Sequence, residues 1–120
     1  MLDRTDNFGE MTQAVSVGLA TLKASTPEVM KSFHDLGRAA TADGVLSRKT
    51  KELIALALGV ASRCDPCIGF HMQTLVKLGV TRQEIDETLG VTTYMGGGPS
   101  LMYAASAIAA FNEFSRAPPA

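Results

Sequence analysis

The chain of 120 residues contains no tryptophan, only two cysteines and almost no net charge. Eleven basic side chains against twelve acidic ones leave a net charge of −1, and no run of Lys and Arg is present that would follow a phosphate backbone. Nucleic acid is therefore not an expected partner. The longest apolar runs, residues 53–61 and 101–111, are interrupted or shorter than the ~20 residues that a membrane-spanning helix needs. Residues 1–6 are polar and of mixed charge, unlike a secretory signal, so we expect a cytoplasmic protein with no membrane association.

The apolar residues recur with helical spacing, and no stretch shows the alternation of a half-buried strand. The sequence therefore predicts an all-α fold, a compact bundle of about six helices in one domain over residues 1–120. Ser47, Thr26 with Pro27, and the Thr81 to Glu84 capping box are typical helix starts, while Asp43-Gly44, Gly79 and Gly96 to Gly98 are typical ends. The expected helices are about 9–23, 27–42, 48–61, 64–78, 81–95 and 100–114.

The third predicted helix is apolar all round from Leu53 to Ala61, a pattern that favours central burial. Glu52 is the last charged residue before this apolar stretch and would lie at the edge of the core. If the third and fourth helices form an antiparallel hairpin, Glu52 can reach the fourth helix and orient a side chain there. The alternative is a solvated glutamate that pairs with Arg48 four residues earlier.

The two cysteines and a histidine share one short segment, Cys64 to His71. On a helix Cys64, Cys67 and His71 lie on one face, because they are spaced three and four residues apart. A position at a helix N-terminus favours thiolate over thiol, most of all for Cys64. His71 can instead accept a proton from Cys67 across one turn, which favours Cys67 as the nucleophile. The spacing alone leaves the choice open.

Two cysteines in a reducing compartment seldom serve as a structural crosslink, so the close pair indicates redox chemistry or metal binding. Cys64, Cys67, His71 and His34 count to four zinc ligands of acceptable type, which is the main alternative to a redox pair. A non-enzymatic module, stabilised by zinc or sensing redox state through its thiols, is the corresponding functional alternative. If the two cysteines form a redox pair, we expect neither a metal nor an organic cofactor.

Glu52, eleven residues, Cys64-x-x-Cys67, three residues and His71 form a pattern that resembles the AhpD-like alkylhydroperoxidases of the carboxymuconolactone decarboxylase superfamily. The resemblance covers a core of about residues 27–115 and leaves residues 1–25 as an N-terminal helical extension. It implies that Cys67 attacks a hydroperoxide substrate, that Cys64 resolves the sulfenic acid as a disulfide, and that Glu52 and His71 relay the proton.

The same resemblance implies an antioxidant peroxidase that a lipoyl-type or thioredoxin-like dithiol reduces. It also implies association into a homotrimer or homohexamer, which would supply the packing that a second helical unit provides in the family's prototype. Because the fold is shared with carboxymuconolactone decarboxylases proper, an enzyme acting on a small lactone or carbonyl compound is the second alternative, although the cysteine pair argues against it.

Overall fold

The computed structural model describes residues 7–116, and these residues form six α-helices and no strand. The helices are α1 (Phe8–Ser25), α2 (Pro27–Thr41), α3 (Arg48–Ala61), α4 (Asp65–Lys77), α5 (Arg82–Gly96) and α6 (Gly98–Arg116). The all-α prediction is therefore confirmed. The first residues of the expected N-terminal extension and the last residues of the chain lie outside the described part.

Local signals explain most of the helix ends. The Ser47 side chain accepts a hydrogen bond from the backbone N–H of Thr50 at the start of α3. Thr81 and Glu84 form the reciprocal capping box at the start of α5. Gly97 is the single residue between α5 and α6, and its φ of 74° belongs to the left-handed region that favours glycine.

Helix α4 lies at the centre of the bundle, where it packs against α1, α3 and α6. Ile68, Met72 and Leu75 on α4 are fully buried, and α1 crosses α4 closely at Gly69. A Cβ added at Gly69 would lie 2.7 Å from the methyl group of Thr12, so a larger residue here would force Thr12 or α1 to shift. The segment from Cys64 to His71 thus lies at and within the start of a helix that three others surround.

The expectation that α3 is buried on all sides is wrong. Its buried residues, which include Glu52, Leu56 and Val60, lie on the face toward α4, whereas Ile54 is 47% and Leu58 62% exposed. The other described helices cover only one face of α3, and the opposite face lines an apolar groove of about 410 Å³ beside α5. A continuous apolar stretch therefore did not mean complete burial within the chain.

Helix α2 has a strongly one-sided apolar pattern and yet no buried residue. Its apolar side chains Val29, Phe33 and Leu36 are each at least 63% exposed. Within residues 7–116, every helix falls short of the length and apolarity that a bilayer span requires. The surface formed by the described residues carries two apolar areas, the α2 face and the α3–α5 groove.

Candidate active site

The turn between α3 and α4 places both cysteines at the start of α4. Arg63 closes α3 with a left-handed φ of 58°, and the backbone N–H of Cys64 donates to the carbonyl oxygen of Gly59 at 3.0 Å. Cys64 is the N-cap residue of α4, because its sulfur accepts a hydrogen bond from the backbone N–H of Cys67 at 3.2 Å. Pro66 lies in the first turn, where its missing N–H is not needed.

Cys64 and Cys67 are joined in a disulfide. Their Cα atoms are 5.2 Å apart, within the range that a disulfide requires, and both residues are only partly buried. The structure therefore describes the oxidised form of the pair. A disulfide between residues three apart closes a very short loop, so the bond restrains the unfolded chain less than a long-range crosslink does.

Gly59 allows α3 to approach α4 at this disulfide. A Cβ added at Gly59 would lie 3.2 Å from the Cβ of Cys67 and 3.7 Å from the backbone nitrogen of Ile68. These distances show that the two helices meet almost backbone to backbone beside Cys67. In the sequence Gly59 is part of an apolar stretch, and an isolated glycine inside a helical pattern is the signal that indicates such a close approach.

Glu52 and His71 form the second part of the site. A carboxylate oxygen of Glu52, Oε1, lies 2.8 Å from Nδ1 of His71, and the Glu52 side chain is only 5% exposed against 34% for His71. The expected contact between the α3 carboxylate and the α4 imidazole is therefore present. The alternative of a solvated Glu52 does not describe this structure, because the residue is buried.

The hydrogen bond determines which ring nitrogen is available for chemistry. When Glu52 is a carboxylate it only accepts hydrogen bonds, and Nδ1 of His71 is then the donor in this contact. Nε2 is then the nitrogen that can accept or deliver a proton. His71 follows Cys67 by one helical turn on α4, so the histidine bonded to the buried Glu52 and the Cys64–Cys67 disulfide occupy consecutive turns of one helix.

The His71 side chain lines a cleft of about 510 Å³ between the α1–α2 pair and α4. His34 lies in the wall of this cleft, on α2. Arg38 and Lys77 are also in the wall, and no sequence motif links these two residues, which lie on different helices. The lining residues are Leu19, Met30, Phe33, His34, Gly37, Arg38, Thr41, Glu52, Phe70, His71, Gln73, Thr74 and Lys77.

The zinc alternative required Cys64, Cys67, His71 and His34 to converge. In the described part of the chain, no three His, Cys, Asp or Glu side chains are grouped closely enough to hold a metal ion. The two sulfurs are bonded to each other instead.

Known proteins resemble this chain in both sequence and structure. The sequence model of the carboxymuconolactone decarboxylase family matches residues 27–110. The crystal structure of a member of that family from Legionella pneumophila, in its apo form, is 57% identical, with a TM-score of 0.91 over 93% of this chain and 100% of that protein. A second member, from Thermotoga maritima, is 28% identical, with a TM-score of 0.76 over 86% of this chain and 88% of that one. For the Thermotoga maritima protein a part in the antioxidative response has been suggested.

A protein of uncharacterised function from Cupriavidus necator is 42% identical over 94 residues. The matched segment makes up 78% of this chain and 83% of that relative. The similarity therefore extends over most of both proteins.

Proposed function

The chain belongs to the carboxymuconolactone decarboxylase family, as its cysteine motif predicted, and from this premise we propose that it is a thiol-dependent peroxidase and disulfide oxidoreductase. Its substrates are alkyl hydroperoxides or the disulfide of a partner. One observation carries the proposal. The Cys64–Cys67 disulfide forms the start of α4, one turn before a histidine whose ring is held by the buried Glu52.

The catalytic cycle needs only the two thiols and an external dithiol. The Cys67 thiolate attacks the terminal oxygen of the hydroperoxide, the O–O bond breaks, and the alkoxide takes up one proton and leaves as the alcohol. Cys67 is now a sulfenic acid. The Cys64 thiol attacks its sulfur, which forms the disulfide and releases water. A lipoyl-type or thioredoxin-like dithiol then returns two electrons and two protons and is itself oxidised to a disulfide.

His71 and Glu52 move the proton in this cycle. His71 takes the Cys67 proton at Nε2 and delivers a proton to the departing alkoxide, since Nδ1 is bonded to Glu52. The Glu52 carboxylate compensates the positive charge of the imidazolium while the proton is on the ring. Because Glu52 is buried, its charge acts on His71 with little screening by solvent.

We also propose that the protein is cytoplasmic and acts as a homotrimer or homohexamer. A cycle that ends on reduction by a dithiol suits a reducing compartment. The apolar groove between α3 and α5 supports association, because contiguous apolar areas on a subunit surface mark contact sites. The suggested antioxidative role of the Thermotoga maritima relative supports the peroxidase activity.

Stopped-flow measurement of cumene hydroperoxide consumption by the prereduced protein tests the proposal, with thiols titrated before and after. We expect loss of two thiols per hydroperoxide. Cys67→Ser should abolish consumption. Cys64→Ser should still consume one equivalent and stop at the sulfenic acid, and therefore serves as the matched control. Glu52→Gln should slow the reaction about tenfold while leaving the thiols able to form a disulfide.

Full activity of Cys67→Ser would contradict the assignment of the nucleophile. Thiols that stay reduced in the presence of hydroperoxide, together with turnover of a small lactone or carbonyl compound, would favour the second enzymatic alternative. Stoichiometric zinc that protects both thiols from alkylation would favour the non-enzymatic module.

A further inference from the structure

The cleft beside His71 has the composition of a binding site for an amphipathic anion. We propose that it binds the carboxylate and alkyl chain of a long-chain acid, so that the preferred peroxide is the hydroperoxide of such an acid. The identity of the substrate rests on the proposed function, whereas binding of the acid does not require turnover. The cleft volume of about 510 Å³ is in the range of small-molecule sites.

One part of the cleft wall is apolar. Leu19 of α1, Met30 and Phe33 of α2, and Phe70 of α4 all line it. Phe33 is 70% exposed, so an alkyl chain lying along the cleft would remove a large aromatic surface from water. This part of the wall suits a hydrocarbon chain, and its side chains provide no hydrogen-bonding group for a small polar peroxide.

The rest of the cleft carries positive charge. Arg38 of α2 and Lys77 in the last turn of α4 line it, and Glu52 is the single acidic residue in the described lining. Glu52 is already bonded to His71. A guanidinium nitrogen of Arg38 lies 3.9 Å from a carboxylate oxygen of Asp35, a long contact between two exposed side chains. Lys77 forms no ion pair within residues 7–116. A carboxylate is the anion that both side chains recognise well.

The spacing along α4 indicates the length of the ligand. Lys77 lies six residues after His71 and ten residues after Cys67, which corresponds to a rise of about 9 Å and about 15 Å along the helix. A carboxylate bound near Lys77 therefore needs a chain that spans about 9 Å to bring its hydroperoxide group to His71, which lines the cleft, and Cys67 precedes His71 by one turn of α4. Short hydroperoxides cannot contact both ends.

Binding is tested on the oxidised protein by calorimetric titration with decanoate and with its uncharged analogue 1-decanol. We expect decanoate to bind more tightly than 1-decanol. Arg38→Gln and Lys77→Gln should each raise the dissociation constant of decanoate about five- to tenfold, which is the effect of losing one charge-assisted hydrogen bond. Lys23→Gln removes the same charge from α1 outside the cleft and should leave binding at the wild-type level.

Thiol oxidation is tested on the prereduced protein with linoleate hydroperoxide and its methyl ester in single-turnover measurements. The ratio of the second-order rate constant for the acid to that for the ester should fall about five- to tenfold in Arg38→Gln and Lys77→Gln and stay unchanged in Lys23→Gln. Charge-dependent decanoate binding without any peroxidase activity would refute the proposed function and leave the carboxylate site intact. Peroxidase activity with equal preference for acid and ester would refute the carboxylate site alone.

Two further results would overturn the inference. Decanoate that binds equally to the wild type and to both cleft variants would show that the positive charges do not select the ligand. A shift of Arg38→Gln and Lys77→Gln toward smaller species in sedimentation, with unchanged decanoate affinity, would assign the cleft to contact with a second copy of the chain.

Discussion

Replacing Gly59 by alanine measures how closely α3 and α4 must approach at the Cys64–Cys67 disulfide. The new methyl group would lie 3.2 Å from the Cβ of Cys67, closer than an ordinary van der Waals contact, and 3.7 Å from the backbone nitrogen of Ile68. Cys67 lies in the first turn of the central helix and is tied to Cys64 by the disulfide, so it has little freedom to retreat. The two backbones must therefore separate slightly.

Two opposing effects determine the stability of this variant. Alanine is favoured over glycine inside a helix by about 1 kcal/mol. Overpacking a closely packed contact costs about 1–3 kcal/mol. Gly90→Ala in α5 isolates the first effect, because a Cβ at Gly90 would have no atom within 4 Å. We expect Gly90→Ala to stabilise the protein by about 1 kcal/mol and Gly59→Ala to leave it unchanged or destabilise it by up to about 2 kcal/mol.

Urea unfolding followed by circular dichroism measures the stability of both variants, with the disulfide intact. The protein concentration is kept fixed, because association would add to the apparent stability. The informative quantity is the difference between the free energies of unfolding of the two variants, which should be about 1–3 kcal/mol. If Gly59→Ala stabilises the protein as much as Gly90→Ala does, α3 and α4 do not meet closely at Cys67, and the geometry described for the site is wrong.

Two further predictions concern the first turns of α1 and α5. Glu113 of α6 accepts hydrogen bonds from the backbone N–H groups of Phe8 and Gly9 at 2.9 and 2.8 Å, so Glu113→Ala should lower the free energy of unfolding by about 1–2 kcal/mol. Urea unfolding measures this, and an unchanged midpoint would show that α1 does not need this cap. The hydrogen bond from the Thr81 backbone, followed by the contact with Lys49, lowers the pKa of Glu84 below its ordinary value of 4.5. The stabilising contribution of the Glu84 carboxylate is therefore present above pH 4.5 and is lost as the pH falls through the lowered pKa. Glu84→Gln should reduce the fall in the free energy of unfolding over this acidic range. An unchanged fall would contradict the assignment.

The local features of this protein follow from the sequence. Ser47 and the Thr81 to Glu84 capping box start their helices through hydrogen bonds within one turn, so nearby residues are sufficient to place these ends. The spacing of Cys64, Cys67 and His71 is equally local, because all three lie within two turns of one helix and its N-cap. The contact of Glu52 with His71 was predictable as well, since the short turn between α3 and α4 leaves few alternatives to an antiparallel hairpin.

The tertiary structure decided which faces of the helices are covered and what lies beside the histidine. Periodicity shows that a helix has an apolar face, but the packing of distant helices determines whether that face is buried, as the exposed Leu58 and Phe33 illustrate. Arg38 and Lys77 lie in one cleft because α2 and α4 are brought together by the packing of the whole bundle. No local pattern encodes that proximity, since it depends on side chains far apart in the sequence.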